Sequence, residues 1–258
     1  MNIEEVLITE PYELSPHHHA FINPYNGCSM GCPFCYWLLQ EGWENRIQVR
    51  TNIAEILEGE LGHWNSEEAL YLGSICDPYN ELEEVYGLSR RCLEVIQKKN
   101  IPLVITTSCI RETIFRDLNL LKKMKVIIVV ELARIPMIDR MNRGETHLGI
   151  ENANRLREEG LEVYATLAPI CPGMMELQPV LGRLADDIPV YIDCLRCEPG
   201  GILAERTKDW IKKADPELLP DYVAILDEHD WSYYDHYLEK YRNNKRVKEF
   251  PFDLSPLK

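Results

Sequence analysis

Long apolar runs, positive charge and repeats are what this sequence has little of. No apolar stretch reaches the ~18 residues that a membrane-spanning helix needs, so no membrane association is expected. The opening MNIEEVLITEPYELS is acidic and has no basic segment followed by an apolar one. No signal peptide is therefore expected, and the cytoplasm is the expected location. Lys and Arg number 28 against 42 Asp and Glu, a formal net charge of −14. Nucleic-acid binders gain affinity by replacing phosphate counterions with a basic surface, so this balance weighs against a long duplex contact. One basic run, Lys240–Lys248, is either a local groove or a solvated helix end. Internal repeats and low-complexity segments are absent.

What the chain does have is cysteine. Nine cysteines, an odd number, occur without a secretion signal. A disulfide framework is not expected, and metal or redox chemistry is the better reading. Three of the nine fall in Asn23-Pro24-Tyr25-Asn26-Gly27-Cys28-Ser29-Met30-Gly31-Cys32-Pro33-Phe34-Cys35-Tyr36, at C-x3-C-x2-C spacing. Thiolates are the usual ligands of iron–sulfur clusters. A four-iron cluster held by three thiolates keeps one iron open to a substrate or cofactor, as a catalytic zinc site keeps a position open. The competing readings are a zinc site and three unligated thiols.

Around this motif, short apolar segments alternate with amphipathic ones, the pattern of parallel βαβ units. Strands are expected near 19–25, 69–73, 102–106, 126–130, 161–168 and 189–193, and helices near 51–61, 81–99, 111–123, 147–159 and 175–185. In the second helix Leu82, Val85, Cys92, Leu93 and Ile96 are expected to face inward. Six such repeats make an α/β fold, a partial (β/α)6 TIM-type barrel over residues 1–200, with an open doubly wound sheet as the alternative. Residues 201–258, rich in Trp and Tyr, are expected to form a helical C-terminal cap. Parallel strands bring all their C-terminal ends to one rim, where barrels carry their active sites.

The cysteine motif, with an aromatic before its last cysteine, resembles the signature of the radical S-adenosylmethionine (SAM) superfamily. NPYNGCSMGCPFCYW, DPYNELE at 77–83, ITTS at 105–108 with Arg116-Asp117, and REEGLEVYATLAPICPG at 157–173 resemble the branch that contains spore photoproduct lyase. The resemblance implies a [4Fe–4S] cluster on Cys28, Cys32 and Cys35. It also implies reductive cleavage of SAM to a 5′-deoxyadenosyl radical, and hydrogen abstraction from a peptide or small-molecule substrate. An external electron donor such as flavodoxin or ferredoxin would supply the electron. A nucleic-acid base modification or repair enzyme, and a non-catalytic iron–sulfur or zinc-binding protein, are the alternatives.

The resemblance places Phe34 near the adenine and Ser74, Cys76 and Asp77 on the SAM rim. Asp77 is a candidate partner for the SAM ammonium, with a turn residue as its other reading. Glu131 is a candidate for the ribose, with Arg134 or Arg143 as alternative partners. Relatives often carry a lysine where this chain has Thr107, so a carboxylate contact from a lysine there is not expected. Phe34 lacks the hydroxyl of the tyrosine found at that place in photoproduct lyase, so a two-tyrosine relay is excluded; Tyr36 remains as a candidate catalytic residue. The hydrogen-donor position aligns with Ser74, and Cys76 follows two residues on as the candidate thiol. Cys76, Cys109, Cys171, Cys194 and Cys197 all fall near strand ends. They are read as ligands of an auxiliary iron–sulfur cluster around Cys194 and Cys197, as a redox-active thiol, or as plain core thiols. His17-His18-His19 reads as loop histidines or a metal contact.

Overall fold

The computed structural model describes residues 2–14, 19–65, 67–132, 146–174 and 176–258. His17, His18, Arg134, Arg143 and Met175 lie outside the described residues. Among the described residues no helix is long and apolar enough to cross a membrane.

The chain is a mixed α/β fold on an eight-stranded sheet. In chain order the strands are β1 (Asn2–Val6), β2 (Tyr12–Leu14), β3 (Ala20–Ile22), β4 (Tyr25–Asn26), β5 (Arg46–Arg50), β6 (Leu70–Leu72), β7 (Leu103–Thr107), β8 (Val126–Glu131), β9 (Glu162–Ile170), β10 (Val190–Cys194) and β11 (Val247–Glu249). The large sheet runs β11-β10-β9-β8-β7-β6-β3-β2 and is not closed. All its neighbours pair in parallel except β2 with β3. The six expected strands are its central six. A second sheet, β1-β5-β4, was not expected from sequence.

Side chains alternate between two buried faces. Leu70, Leu72, Ile105, Ile128 and Val163 pack with the main core, together with helices α1 (Ile53–Glu60), α2 (Glu83–Tyr86), α3 (Leu88–Lys99), α4 (Leu118–Leu121) and α5 (Thr146–Glu158). Val104, Ile127, Val129, Tyr164 and Tyr191 face the other way and pack with Phe252, Leu254 and Leu257. Burial on both faces is why β8 reads as an unbroken VIIVV.

The expected helix over 81–99 is two helices. Gly87 sits at φ 62 between α2 and α3, a left-handed position that glycine occupies without steric cost. The break resets the helical phase. Val85, expected inward, is 77% exposed, whereas Glu83 is fully buried.

After α6 (Leu177–Leu181) and β10, the C-terminal segment forms α7 (Ile202–Ala214), α8 (Leu219–Leu226) and α9 (Ser232–Tyr241). It does more than cap. It adds β11 at the sheet edge, and its last residues lie across the second face, where Tyr164 Oη donates to the Asp253 carbonyl at 2.7 Å and Tyr191 Oη accepts from Asp253 N at 2.9 Å. Tyrosine hydroxyls also tie α8 and α9 to the strand exits. Tyr222 donates to Pro172 O at 3.1 Å and Tyr234 to Ile170 O at 2.9 Å, while Tyr237 accepts from Leu177 N at 3.0 Å.

The basic run 240–248 leads into the N-terminal end of β11, opposite the rim that carries the cysteine motif. Its Arg246 fans over the carbonyls of Leu181, Leu184, Ala185 and Ile188 at 2.8–3.3 Å, satisfying groups left open where α6 ends. Arg246→Ala is expected to cost about 2–3 kcal/mol, because several buried acceptors lose a charged donor. Lys245→Ala and Lys248→Ala, on exposed side chains, should stay within about 0.5 kcal/mol. Urea unfolding of the three variants checks this, and equal effects would mean that Arg246 is only a solvated charge.

Candidate active site

The cysteine loop is positioned by the small sheet. Asn23-Pro24 ends β3 and sends the chain into β4, where Tyr25 pairs with Val49 and Asn26 with Gln48 of β5. Gly27 follows at φ 129, and a Cβ there would collide with the Arg46 carbonyl. Only glycine lets the loop start this close to β5. Cys28 and Cys35 are half-buried and Cys32 is buried. Cys28 Sγ accepts from Met30 N at 3.4 Å, and Cys35 N donates to Cys32 O at 2.9 Å. The donors are soft thiols on one short loop, which suits an iron–sulfur cluster. Among the described residues no three His, Cys, Asp or Glu side chains are grouped to hold one metal ion.

Beside the loop lies a small cleft of about 70 Å³. Cys28 and Ser29 line one side, Cys76, Asp77, Asn80 and Glu81 of the β6 exit another, and Ser108, Ile110 and Arg111 of the β7 exit a third. Gly73, at φ 86, brings the two exits together. A Cβ there would collide with Pro78 and sit 2.6 Å from the Thr106 carbonyl.

Asp77 is the staple between the exits. Its Oδ1 accepts from Thr107 Oγ1 at 2.8 Å and Tyr79 N at 2.9 Å, and its Oδ2 from Ser108 N at 2.9 Å and Ser108 Oγ at 2.5 Å. Those four donors match the roughly four acceptor sites of an ionised carboxylate. Thr107 in turn accepts from Cys109 N at 3.0 Å. Cys76 is buried beside them, and its thiol donates to Gly27 O at 2.8 Å.

Cys28, Cys76, Asp77 and Thr107 are therefore brought together. Other expected site residues are not. Phe34 is half-buried against the main core. Ser74 is half-buried and is not among the residues lining the cleft. Tyr36 is 70% exposed on a 3-10 turn, edge-on to Trp37 at 5.9 Å. Glu131 follows Val129 on β8 and so faces the side of the sheet covered by the C-terminal residues, opposite to Thr107.

Behind the cleft sits an ionic network that sequence reading missed. The Glu83 carboxylate, 0% exposed, accepts from Tyr25 Oη at 2.6 Å, Ser89 N at 2.8 Å and Arg116 Nη2 at 2.5 Å. Asp117, also buried, accepts from Arg90 Nη1 at 2.6 Å and from Tyr79 Oη at 3.3 Å. Tyr25 lies in β4 just ahead of the cysteine loop and Tyr79 lines the cleft, so one network braces both. Glu83 was hidden by the assumption of a single helix. The Arg116-Asp117 pair and the DPYNELE segment were the signal available.

Cys76, Cys109, Cys171, Cys194 and Cys197 all lie at C-terminal strand ends. Burial raises the Cys109 thiol above its ordinary range, helped by the negative charge of Asp77. Burial pushes Cys171 up to about 12, against a hydrogen bond with Tyr222. Cys194 and Cys197 are half-buried and raised for the same reason. In each of these four cases burial disfavours the thiolate. His19 is exposed, with its ring 5.0 Å from that of Tyr71.

No family model matches the chain. Spore photoproduct lyase complexed with dinucleoside spore photoproduct superposes with a TM-score of 0.60 at 15% identity, covering 86% of this chain and 79% of that one. A variant of the same lyase with bound AdoMet and dinucleoside spore photoproduct gives 0.55 at 14%, over 83% and 76%. SuiB of Streptococcus suis bound to S-adenosylmethionine gives 0.51 at 16%, over 91% of this chain and 50% of that one. At these identities the likeness is one of fold, and the resemblance to spore photoproduct lyase carried by the sequence motifs extends to the architecture. Among curated proteins, the chain is 25% identical over 174 residues to an uncharacterized protein of Methanocaldococcus jannaschii, 63% of this chain and 64% of that one. It is 25% identical over 234 residues to an uncharacterized protein of Mycobacterium tuberculosis H37Rv, 79% and 66%. The matched region thus spans just under two thirds of these relatives' length.

Proposed function

We propose that this chain is a radical SAM enzyme, with a [4Fe–4S] cluster on Cys28, Cys32 and Cys35 and SAM in the adjoining cleft. The observation that carries the reading is the placement of a three-thiol loop beside a cleft at the C-terminal rim of a parallel sheet. The likeness to folds described with bound AdoMet supports it. When bound, the cluster supplies the electron that splits the sulfonium of SAM and yields a 5′-deoxyadenosyl radical.

The chain's own residues hold and shape the site. Gly27 and Tyr25 fix the loop against β5 and Glu83. Asp77, through Thr107 and Ser108, holds two strand exits at the spacing the cleft requires. Phe34 offers an apolar surface for adenine, and Ser74 follows Gly73 at the β6 exit. Glu131 is the candidate for the ribose only if SAM reaches the sheet face opposite to Thr107. Cys76, beside Cys28 and protected from solvent, is the thiol best placed to return a hydrogen atom to a substrate radical, and the exposed Tyr36 is the outer candidate for that role. No second cluster forms part of the proposal.

We read the six central strands as an incomplete (β/α)6 barrel within residues 1–200, with residues 201–258 closing its open side. The substrate we favour is a peptide or small molecule. The strong negative charge, and the placement of the basic run at the opposite end of the sheet, disfavour a nucleic acid. A flavodoxin- or ferredoxin-type donor and a cytoplasmic setting follow from the need for a low-potential electron and reduced thiols.

Anaerobic reconstitution with iron and sulfide, reduction with dithionite and addition of SAM should give 5′-deoxyadenosine. Protein carrying about four irons per chain that forms none would refute the reading.

A further inference from the structure

More space lies at the other end of the rim than beside the cysteine loop. A hollow of about 250 Å³ opens at the exits of β9, β10 and β11, over Ile170, Ile192 and Phe250. A second, of about 490 Å³, adjoins it between β11 and α9 and shares Ile192, Leu238 and Glu249 with it. Together they form a groove along β11, whose three residues span about 10 Å at roughly 3.3 Å per residue. Its walls are apolar and aromatic, with Tyr234 and Tyr237 beside the three aliphatic side chains Ile170, Ile192 and Leu238. Its edge is acidic. Asp235, Leu238, Glu239 and Arg242 fall on one stripe of α9 and all line the groove. Arg242 is held by Glu239 at 2.5 Å, and Arg196 by Asp193 at 2.8 Å. That leaves Asp235 and Glu249, both exposed, which form no ion pair among the described residues. Val247 packs on the main core, so Glu249, two residues on, faces the same side as α9, and Lys248 faces the other. Cys194 lies between these groups. Burial raises its thiol against the charge of Arg196, and Asp193, Glu249 and Asp235 add to the rise.

Resting on the functional reading above, we propose that this groove seats an extended segment of a peptide substrate and takes one of its lysine or arginine side chains, the aliphatic stem on Ile192 and Leu238 and the cation between Asp235 and Glu249. A long cationic side chain carries an apolar stem and a charged head, which matches an apolar trough with an acidic edge. The rings of Tyr237 and Phe250 favour a cation over a neutral group. An acidic side chain would meet like charge, and a neutral one would leave both carboxylates without a partner. A free amine would fill only part of the space, whereas the main chain on either side of the basic residue occupies the rest. The parallel strands bring this groove to the same rim as the cysteine loop, so a peptide lying in it can extend towards the site of radical formation.

Fluorescence anisotropy on the iron-loaded protein tests this with labelled peptides Gly-Ala-X-Ala-Gly, where X is lysine, arginine or citrulline, which keeps the shape of arginine without its charge. The lysine and arginine peptides should bind about tenfold more tightly than the citrulline peptide, the worth of one charge-assisted contact. Asp235→Asn and Glu249→Gln should each weaken the two cationic peptides by about threefold to tenfold and leave the citrulline peptide unchanged. Both side chains are exposed, so thermal stability should match wild type. Leu238→Trp, which fills the floor shared by the two hollows, should remove binding of all three. Equal affinity for the three peptides, affinity indifferent to the two carboxylates, or no binding at all would overturn the groove. None of these results touches the functional reading, which is decided separately by formation of 5′-deoxyadenosine in wild-type protein without any peptide.

Discussion

Replacing Cys28, Cys32 and Cys35 together by alanine is expected to abolish iron loading, visible colour and formation of 5′-deoxyadenosine. The three thiols are the donors that the loop offers, and an iron–sulfur cluster without its thiolates has no comparable hold on the chain. The loop is half-exposed at Cys28 and Cys35 and buried only at Cys32, so the variant should still fold, with a far-ultraviolet dichroism spectrum like that of wild type. Cys92→Ala is the matched control. Cys92 lies inside α3, fully buried in the main core, and a buried helical thiol acts as a small hydrophobe. That variant should lose a little stability through a small cavity and keep its cluster. SAM cleavage retained by the triple variant, or lost equally in the control, would break the assignment of the loop.

Glu83→Ala carries the next largest expected effect, a loss of about 3–5 kcal/mol. Removing one member of a buried ionic network leaves its partners without compensation. Here Arg116 Nη2 loses an acceptor at 2.5 Å, Tyr25 Oη one at 2.6 Å and the Ser89 amide one at 2.8 Å. Glu83→Gln keeps the shape and part of the bonding, so it should fall between wild type and alanine. By contrast Glu84→Ala, on an exposed neighbour, should change stability by less than about 0.5 kcal/mol. Urea denaturation gives all three values. A Glu83→Ala loss below about 1 kcal/mol would show the network to be solvated in practice. Because Tyr25 sits in β4 directly before the cysteine loop, Glu83→Gln should also slow iron uptake while the global fold persists.

The two strongest signals in the sequence were local ones. The C-x3-C-x2-C spacing needs no tertiary knowledge, and strands buried on both faces announce themselves as apolar runs, as Val126–Val130 does. The parts that stayed hidden depend on contacts distant in sequence. β1 is exposed along almost its whole length, so no alternation marks it, and β4 has two residues. Both exist because β5 pairs with them. Glu83 looked like an outward-facing helix residue until Gly87 broke the phase. The role of Asp77 was ambiguous between turn and ligand contact because Thr107 and Ser108, thirty and thirty-one residues away, saturate it. Arg246 looked like part of a basic patch because the helix end that it covers lies about sixty residues earlier. In each case the sequence held the right residue and lacked its partner.

The order of strands in the large sheet has a bearing on how the molecule comes together. From β3 onward, through β6, β7, β8, β9, β10 and β11, neighbours in space succeed one another along the chain, apart from the excursion through β4 and β5. Each newly made strand finds the edge it needs already in place, so growth can proceed in one direction as the polypeptide emerges, without waiting for a distant segment. The thiol loop and the first two strand exits belong to the earliest part of that growth. The tyrosines that pin α8 and α9 arrive late. The half that carries the cysteine loop can therefore be complete while the other half is still being laid down.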